Sequence, residues 1–480
     1  MLCAFCVRAQ THLTDSLRTE VEVQTTLNNG YTPLWQASNR HGLSSVHGSN
    51  ALLRAGVFRD ASADADRNWR VGYGVDLAAM VNYGTQLYVQ QAYADLDYRW
   101  FRLSIGSKER PMEQKNQELS SGSQTFGINA RPIPQIRIEI PEYIDFANRW
   151  LGVKGHFGYG FLTDGHFQKT YVNADEHYVR NALYHSQALY VRIGRADRFP
   201  LVFEGGLEWG CQFGGTAYRV QGYDYFEKVK MPSNFKAFVH AIYGGGSDET
   251  DDGTPNAAGN TLGSWLFSLR YEGDGWNVRA YYDHFFEDHS QVFGEYGWRD
   301  GLIGIEANLP RNPFVSTIVY ENLRTDYQSG AVYHDANATI PDQISSIDNY
   351  YNHIIYQGWQ HFGQAIGNPL YVSPLYRHDG TLVFAANRFR ANHFALCGDP
   401  APQWHWRLLL SHIRSWGTYS VPFSDVKKTV SALAEVSYRP FRLFGHDGWR
   451  TSASIGFDSG SLIHHNFGLQ LSLGKTFHLK

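Results

Sequence analysis

The densest collection of side chains able to bind a sugar lies between residues 326 and 387. It holds Tyr350, Tyr351, Asn352, His353, Tyr356, Trp359, His361, Phe362, Asn368 and Tyr371, followed by Arg377. Aromatic faces stack on the C–H faces of sugars, while amides and imidazoles bond hydroxyls. Arg377, His378 and Arg388 add positive charge for an acidic saccharide. We take Tyr350, Tyr351, Asn352, His353, Trp359, His361, Asn368 and Arg377 as the candidate polysaccharide-binding set. The same residues also suit self-packing if the segment folds inward and plugs a lumen, and the two readings are compatible.

Other clusters carry less. The run His284-Phe285-Phe286-Glu287-Asp288-His289 offers metal ligands, but on a strand the two histidines face opposite ways. Asp95 and Asp97 share one strand face, which allows acid–base work. Their ordinary reading is lumen charge paired with arginines of neighbouring strands. Asp248, Glu249, Asp251 and Asp252 lie in a Gly-flanked loop that reads as solvated rather than as a calcium site. No HExxH, GxSxG or phosphate-cradling GxxxxGK[ST] motif occurs. No enzyme, cofactor or metal is therefore expected.

The elements that must position these groups are strands. Phe467, Leu469, Leu471, Leu473 and Phe477 alternate with Gly468, Gln470, Ser472 and Gly474. Val71, Tyr73, Val75 and Leu77 alternate with Gly72, Gly74 and Asp76, and Leu207, Trp209, Cys211 and Phe213 with Glu208, Gly210 and Gln212. Apolar residues on one face and small or polar ones on the other fit lipid outside and a lumen inside. Strands ending in Tyr or Trp suit an interfacial girdle.

Composition agrees. Charged residues make up 18% of the 480-residue chain, aromatics 15%, and Gly contributes 47 residues. The formal charge of −4 excludes a generally basic nucleic-acid binder. No run of about 18 apolar residues exists, so α-helical spans are excluded, but a barrel escapes that test. Residues 1–9 read as the tail of a signal peptide with cleavage after Ala9. Residues 10–480 then form one antiparallel outer-membrane β-barrel domain, all-β, with about 18 strands at roughly 25 residues per strand and connection. Counting back from the last strand puts 440–448 and 398–403 at the periplasmic end, and 415–427 and 326–387 outside. Loops are expected to plug the lumen. Cys211 and Cys397 are expected to be unpaired thiols in strands.

Several segments resemble the Wzi capsule-assembly family in its Bacteroidetes form. These are residues 30–45 (GYTPLWQASNRHGLSS), 90–96 (QQAYADL) and 129–134 (NARPIP), then Asn352-His353, Gly358-Trp359, Gly367-Asn368-Pro369-Leu370, Ser373-Pro374-Leu375 and Trp416-Gly417-Thr418-Tyr419. The resemblance implies an outer-membrane barrel that helps attach capsular or other surface polysaccharide as a lectin, among outer-membrane lipids and beside polysaccharide export machinery. Enterobacterial members of that family carry an N-terminal helical bundle. Here residues 20–30 (EVEVQTTLNNG) read as a strand directly after the leader. A porin or passive transport channel is the alternative, distinguished by an open lumen.

Overall fold

Alternating strands without covering helices must bury their polar faces on one another, and closing the sheet does this while removing its edges. The structure, a computed structural model, describes residues 16–221, 225–245, 259–287, 292–294, 297–334, 337–342, 344 and 346–479. The leader reading, the acidic group at 248–252, and Asp288 and His289 lie outside the described residues.

Eighteen strands form one sheet, each antiparallel to its neighbours. The first half comprises β1 (Leu17–Asn29), β2 (Asn50–Arg59), β3 (Trp69–Val81), β4 (Leu87–Tyr98), β5 (Phe101–Ser107), β6 (Gln135–Phe146), β7 (Leu151–Phe161), β8 (Leu183–Ile193) and β9 (Leu201–Phe213). The second comprises β10 (Asn260–Glu272), β11 (Asn277–Glu287), β12 (Gly301–Asn308), β13 (Thr317–Arg324), β14 (Arg388–Ala401), β15 (Trp404–Gly417), β16 (Pro422–Tyr438), β17 (Trp449–Gly460) and β18 (Asn466–Leu479). β1 pairs with β18 from Leu17↔Leu479 to Asn29↔Phe467, which closes the barrel. The expected strand after the leader is β1. Among the described residues no helix is long and apolar enough to cross a membrane.

The outside is the apolar side. Phe467, Leu471, Leu473 and Phe477 of β18 are 44–52% exposed, whereas Gln470 faces the lumen at 5%. Val75, Leu77, Ile136, Ile138, Ile303, Ile305, Leu408 and Leu410 extend the same exposed belt. Aromatic pairs mark one rim: Trp69–Tyr98 and Trp404–Tyr438, each with ring centroids 4.5 Å apart. These lie beside the short turns, including 99–100 and 402–403. The long connections 30–49, 108–134, 162–182, 214–259 and 325–387 all leave from the opposite rim, here the loop end. That division agrees with the parity read from the sequence.

One stretch of wall breaks the alternation. Trp209, Cys211 and Phe213 point outward yet are buried. A helix, Phe235–Tyr243, lies against them, with Trp209 Nε1 donating to Ala241 O at 3.0 Å and Phe213 edge-on to Phe238. Cys211 and Cys397 are both buried and neither is in a disulfide.

Candidate functional site

The lumen is filled from the loop end in two layers. The first is made by 30–49 and 108–134, which bond directly to the wall. Trp35 Nε1 donates to Ser411 Oγ at 3.2 Å, and Gln36 Nε2 donates to Ser454 Oγ at 3.1 Å and Gly468 O at 3.2 Å. A Cβ at Gly468 would sit 2.1 Å from Gln36 Oε1, so the small lumen residue gives the plug room. Ser121 N donates to Glu321 Oε2 at 2.7 Å, Gln124 Nε2 to Asp283 O at 2.8 Å, and Lys115 Nζ lies 3.2 Å from Asp283 Oδ2.

The second layer is 325–387, seated on the first. Trp359 Nε1 donates to Thr125 O at 2.9 Å, Asn368 Nδ2 to Gly122 O at 2.8 Å, and Tyr371 OH to Gln124 Oε1 at 3.2 Å. Tyr351 OH donates to Gln124 O, and its ring stacks on Tyr371 at 3.8 Å. The core of this protein is therefore inside the barrel, where Tyr350, Tyr351, Trp359 and Tyr371 are each 0% exposed.

This placement corrects the reading of the segment as a sugar-facing surface. Tyr350, Tyr351, Trp359, His361 and Asn368 are all buried. The ring nitrogens of His361 meet Thr163 Oγ1 at 3.0 Å and Arg131 O at 3.0 Å. Asn352 closes an amide pair with the Phe384 backbone. His353 Nδ1 accepts from Ile355 N at 3.0 Å, and burial pushes this imidazole down to about 3. Arg377 alone of the set is exposed, and it pairs with Asp379 at 2.5 Å. Of the two compatible readings, the plug accounts for where these side chains lie.

The other clusters resolve simply. Asp97 takes a two-pronged contact from Arg102 at 2.7 and 2.9 Å, and Asp95 pairs with Lys108 at 2.5 Å. His284 stacks on Trp298 at 4.6 Å outside the wall. Glu287 points the other way, its carboxylate accepting from Tyr351 N at 2.6 Å.

A cleft at the loop end has the properties the buried segment lacks. It is a space of about 70 Å³ lined by Tyr83, Tyr88, Arg131, Phe167, Tyr171 and Phe362, with His47 and Gln364 at its margin. Phe167 and Tyr171 stack at 5.3 Å along the short helix Gly165–Tyr171, and Phe362 approaches Phe167 at 5.6 Å. The Arg131 guanidinium lies between two rings, 3.3 Å from the Tyr88 centroid and 4.0 Å from that of Phe362. Such stacking holds a cation by the ring quadrupole and leaves its N–H edge free to donate. Burial lowers Arg131 to about 10, still cationic at neutral pH. Every lining ring is only partly buried. The hydroxyls of Tyr83 and Tyr171 have no hydrogen-bond partner within the protein. Arg131 also lines a second cavity, of about 290 Å³, that reaches toward the turn end between β5, β6 and β7. The sequence does not mark this cleft because its members come from four separate connections and one strand. Arg131 sits in the 129–134 run already noted for its resemblance, but nothing there signals a cleft.

Comparison with known proteins adds the following. No protein-family profile and no curated protein sequence matches the chain. Among solved structures it is similar to Wzi of Escherichia coli, described as an outer-membrane protein involved in group 1 capsule assembly and a carbohydrate-binding β-barrel. The identity is 14% over 99% of this chain and 88% of that one, with a TM-score of 0.59. It is also similar to OpdL of Pseudomonas aeruginosa, at 8% identity over 98% and 100% of the two chains and a TM-score of 0.50. At these identities the likeness is one of fold: a closed 18-strand antiparallel barrel of outer-membrane type.

Proposed function

We propose that this protein is a plugged outer-membrane barrel of the Wzi kind that binds capsular or other surface polysaccharide at its outward rim and helps hold it on the cell. The observation that carries the reading is the loop-end cleft. Partly exposed aromatic faces, unpartnered tyrosine hydroxyls and a stacked guanidinium converge there. This mixture gives a pyranose both C–H stacking surfaces and hydroxyl partners, and gives an acidic sugar a cation. The exposed apolar belt, aromatic rim and long-loop/short-turn asymmetry support a place in the bacterial outer membrane. The double-layered plug favours a binding role over free diffusion. The carbohydrate binding described for the Escherichia coli barrel of similar fold points the same way.

The experiment is deletion of the gene with quantification of cell-attached and released polysaccharide. A shift from attached to released material, restored by the intact gene and not by the Arg131→Ala form at equal abundance, is the expected result. An unchanged ratio in the deletion strain overturns the reading.

A further inference from the structure

At the turn end of the lumen, Glu118, Cys397 and His405 bring one ligand atom each to within 4.8 Å of one another, the one such group of three among the described residues. They come from two parts of the molecule. Cys397 and His405 face the lumen from β14 and β15, across the two-residue turn 402–403. Glu118 belongs to the inner layer of the plug, where Asn116 Oδ1 accepts from its backbone N–H at 3.0 Å and fixes the turn that presents it. Arg407, next along on the lumen face of β15, donates to Glu118 O at 3.0 Å and holds the plug against the wall.

The imidazole of His405 is held between two carboxylates. Its Nδ1 lies 2.8 Å from Asp399 Oδ1, so Nδ1 carries the proton and donates it to that carboxylate. The other ring nitrogen, Nε2, faces Glu118 Oε2 at 3.2 Å, with Cys397 beside them. With Nδ1 donating to Asp399, a proton on Nε2 charges the ring and links it to Glu118, and a metal ion bound there would take that proton's place, with the thiol as a third ligand. A carboxylate on one ring nitrogen and a metal on the other is the usual way a histidine ligand is oriented. Cys, His and Glu together suit a borderline-soft divalent ion. Bond lengths of about 2.0–2.3 Å put such ligand atoms roughly 3.3–3.8 Å apart, a small contraction from the present arrangement.

We propose that Glu118, Cys397 and His405 form a zinc-type divalent metal site, oriented by Asp399, that ties the inner plug layer to the barrel wall. The fourth position opens on the turn-end cavity, about 300 Å³, that Glu118 and His405 also line. The metal binds the thiolate form of Cys397, releasing its proton to solvent. The site is independent of the polysaccharide cleft, which lies at the other rim.

The test is titration of the purified, chelator-stripped barrel with Co²⁺ as a spectroscopic stand-in. The proposal expects saturation near one equivalent with a sulfur-to-cobalt charge-transfer band, displaced by Zn²⁺. Cys397→Ser should abolish the band. His405→Gln and Glu118→Gln should each weaken binding at least tenfold, and Asp399→Asn by about tenfold through the lost orientation of the ring. Heat-modified gel migration reports folding of each variant, and the Gln and Asn series carries the test if Cys397→Ser does not fold. A wild-type barrel without the band contradicts the proposal and leaves a protonated His405 paired with two carboxylates. So does a band that survives in folded Cys397→Ser, or binding unchanged across the Gln and Asn series.

Discussion

Tyr351 and Trp359 in the plug, and Tyr171 and Arg131 in the loop-end cleft, are built from the same chemistry and have opposite accounts. In the plug every polar tip just described has a partner: the indole N–H of Trp359 on Thr125, the hydroxyl of Tyr351 on Gln124 and the amide of Asn368 on Gly122. In the cleft the hydroxyls of Tyr83 and Tyr171 have none, and the rings are only partly buried. Residue type alone therefore does not mark a sugar site. Aromatic residues whose polar tips are bonded to the neighbouring layer form a core, whereas hydroxyls left unpaired beside a cavity have capacity left for a ligand.

Trp359→Ala should produce the largest effect on the plug side. Removing an indole that is 0% exposed should cost about 3–5 kcal/mol of local stability. The check is native-state hydrogen exchange of 108–134 and 325–387, where protection should fall while the strands stay protected. Unchanged protection in the plug would break the comparison. Gly367→Ala should follow at about 1–3 kcal/mol by the same measurement, through overpacking. Its Cβ would stand 2.0 Å from the Tyr351 hydroxyl and 2.2 Å from Gln124 O.

On the cleft side, Arg131→Ala should weaken binding of an acidic polysaccharide by about 1–2 kcal/mol, with a smaller loss for a neutral one. Isothermal titration with both ligands separates the two, and equal losses would remove the charge argument. A separate effect is one of pH. Burial holds the His353 imidazole down to about 3, and its Nδ1 accepts from Ile355 and Tyr356 N–H. The unfolded segment binds a proton near pH 6.5 that the folded one refuses. Its stabilising contribution is thus full above about pH 6.5 and declines as pH falls toward 3. Plug protection should therefore decrease from pH 7 to pH 4, and His353→Asn should flatten that slope. A wild-type slope of zero would contradict it.

The wall was legible in the sequence and the interior was not. The alternation in β18 follows from the two-residue period of a strand between lipid and lumen, and the structure places Phe467, Leu471, Leu473 and Phe477 outward as read. Strand number follows from chain length at roughly 25 residues per strand and connection, and the division of the connections between two ends from parity counted back from the last strand. The inward fold of 325–387 was one of two compatible readings, because Tyr, Trp, His and Asn serve self-packing and sugar binding alike. Trp209, Cys211 and Phe213 were read with the correct outward phase, but a helix from a distant connection covers them. The cleft and the Glu118–Cys397–His405 group were invisible for a simpler reason. Arg131 and Phe362, like Glu118 and Cys397, lie far apart in the chain, and only the inward fold of the plug brings them together.

The central claim is that ligand binds at the loop-end cleft and not in the plugged lumen. Its most direct test is titration of the purified barrel with polysaccharide from its own cells, comparing wild type, Arg131→Ala/Tyr171→Ala and Trp359→Ala. The account predicts saturable binding to wild type that is lost in the cleft double variant and kept in folded Trp359→Ala. Binding that survives the double variant would contradict it, as would a wild-type barrel that binds nothing and instead passes steady current in a planar bilayer.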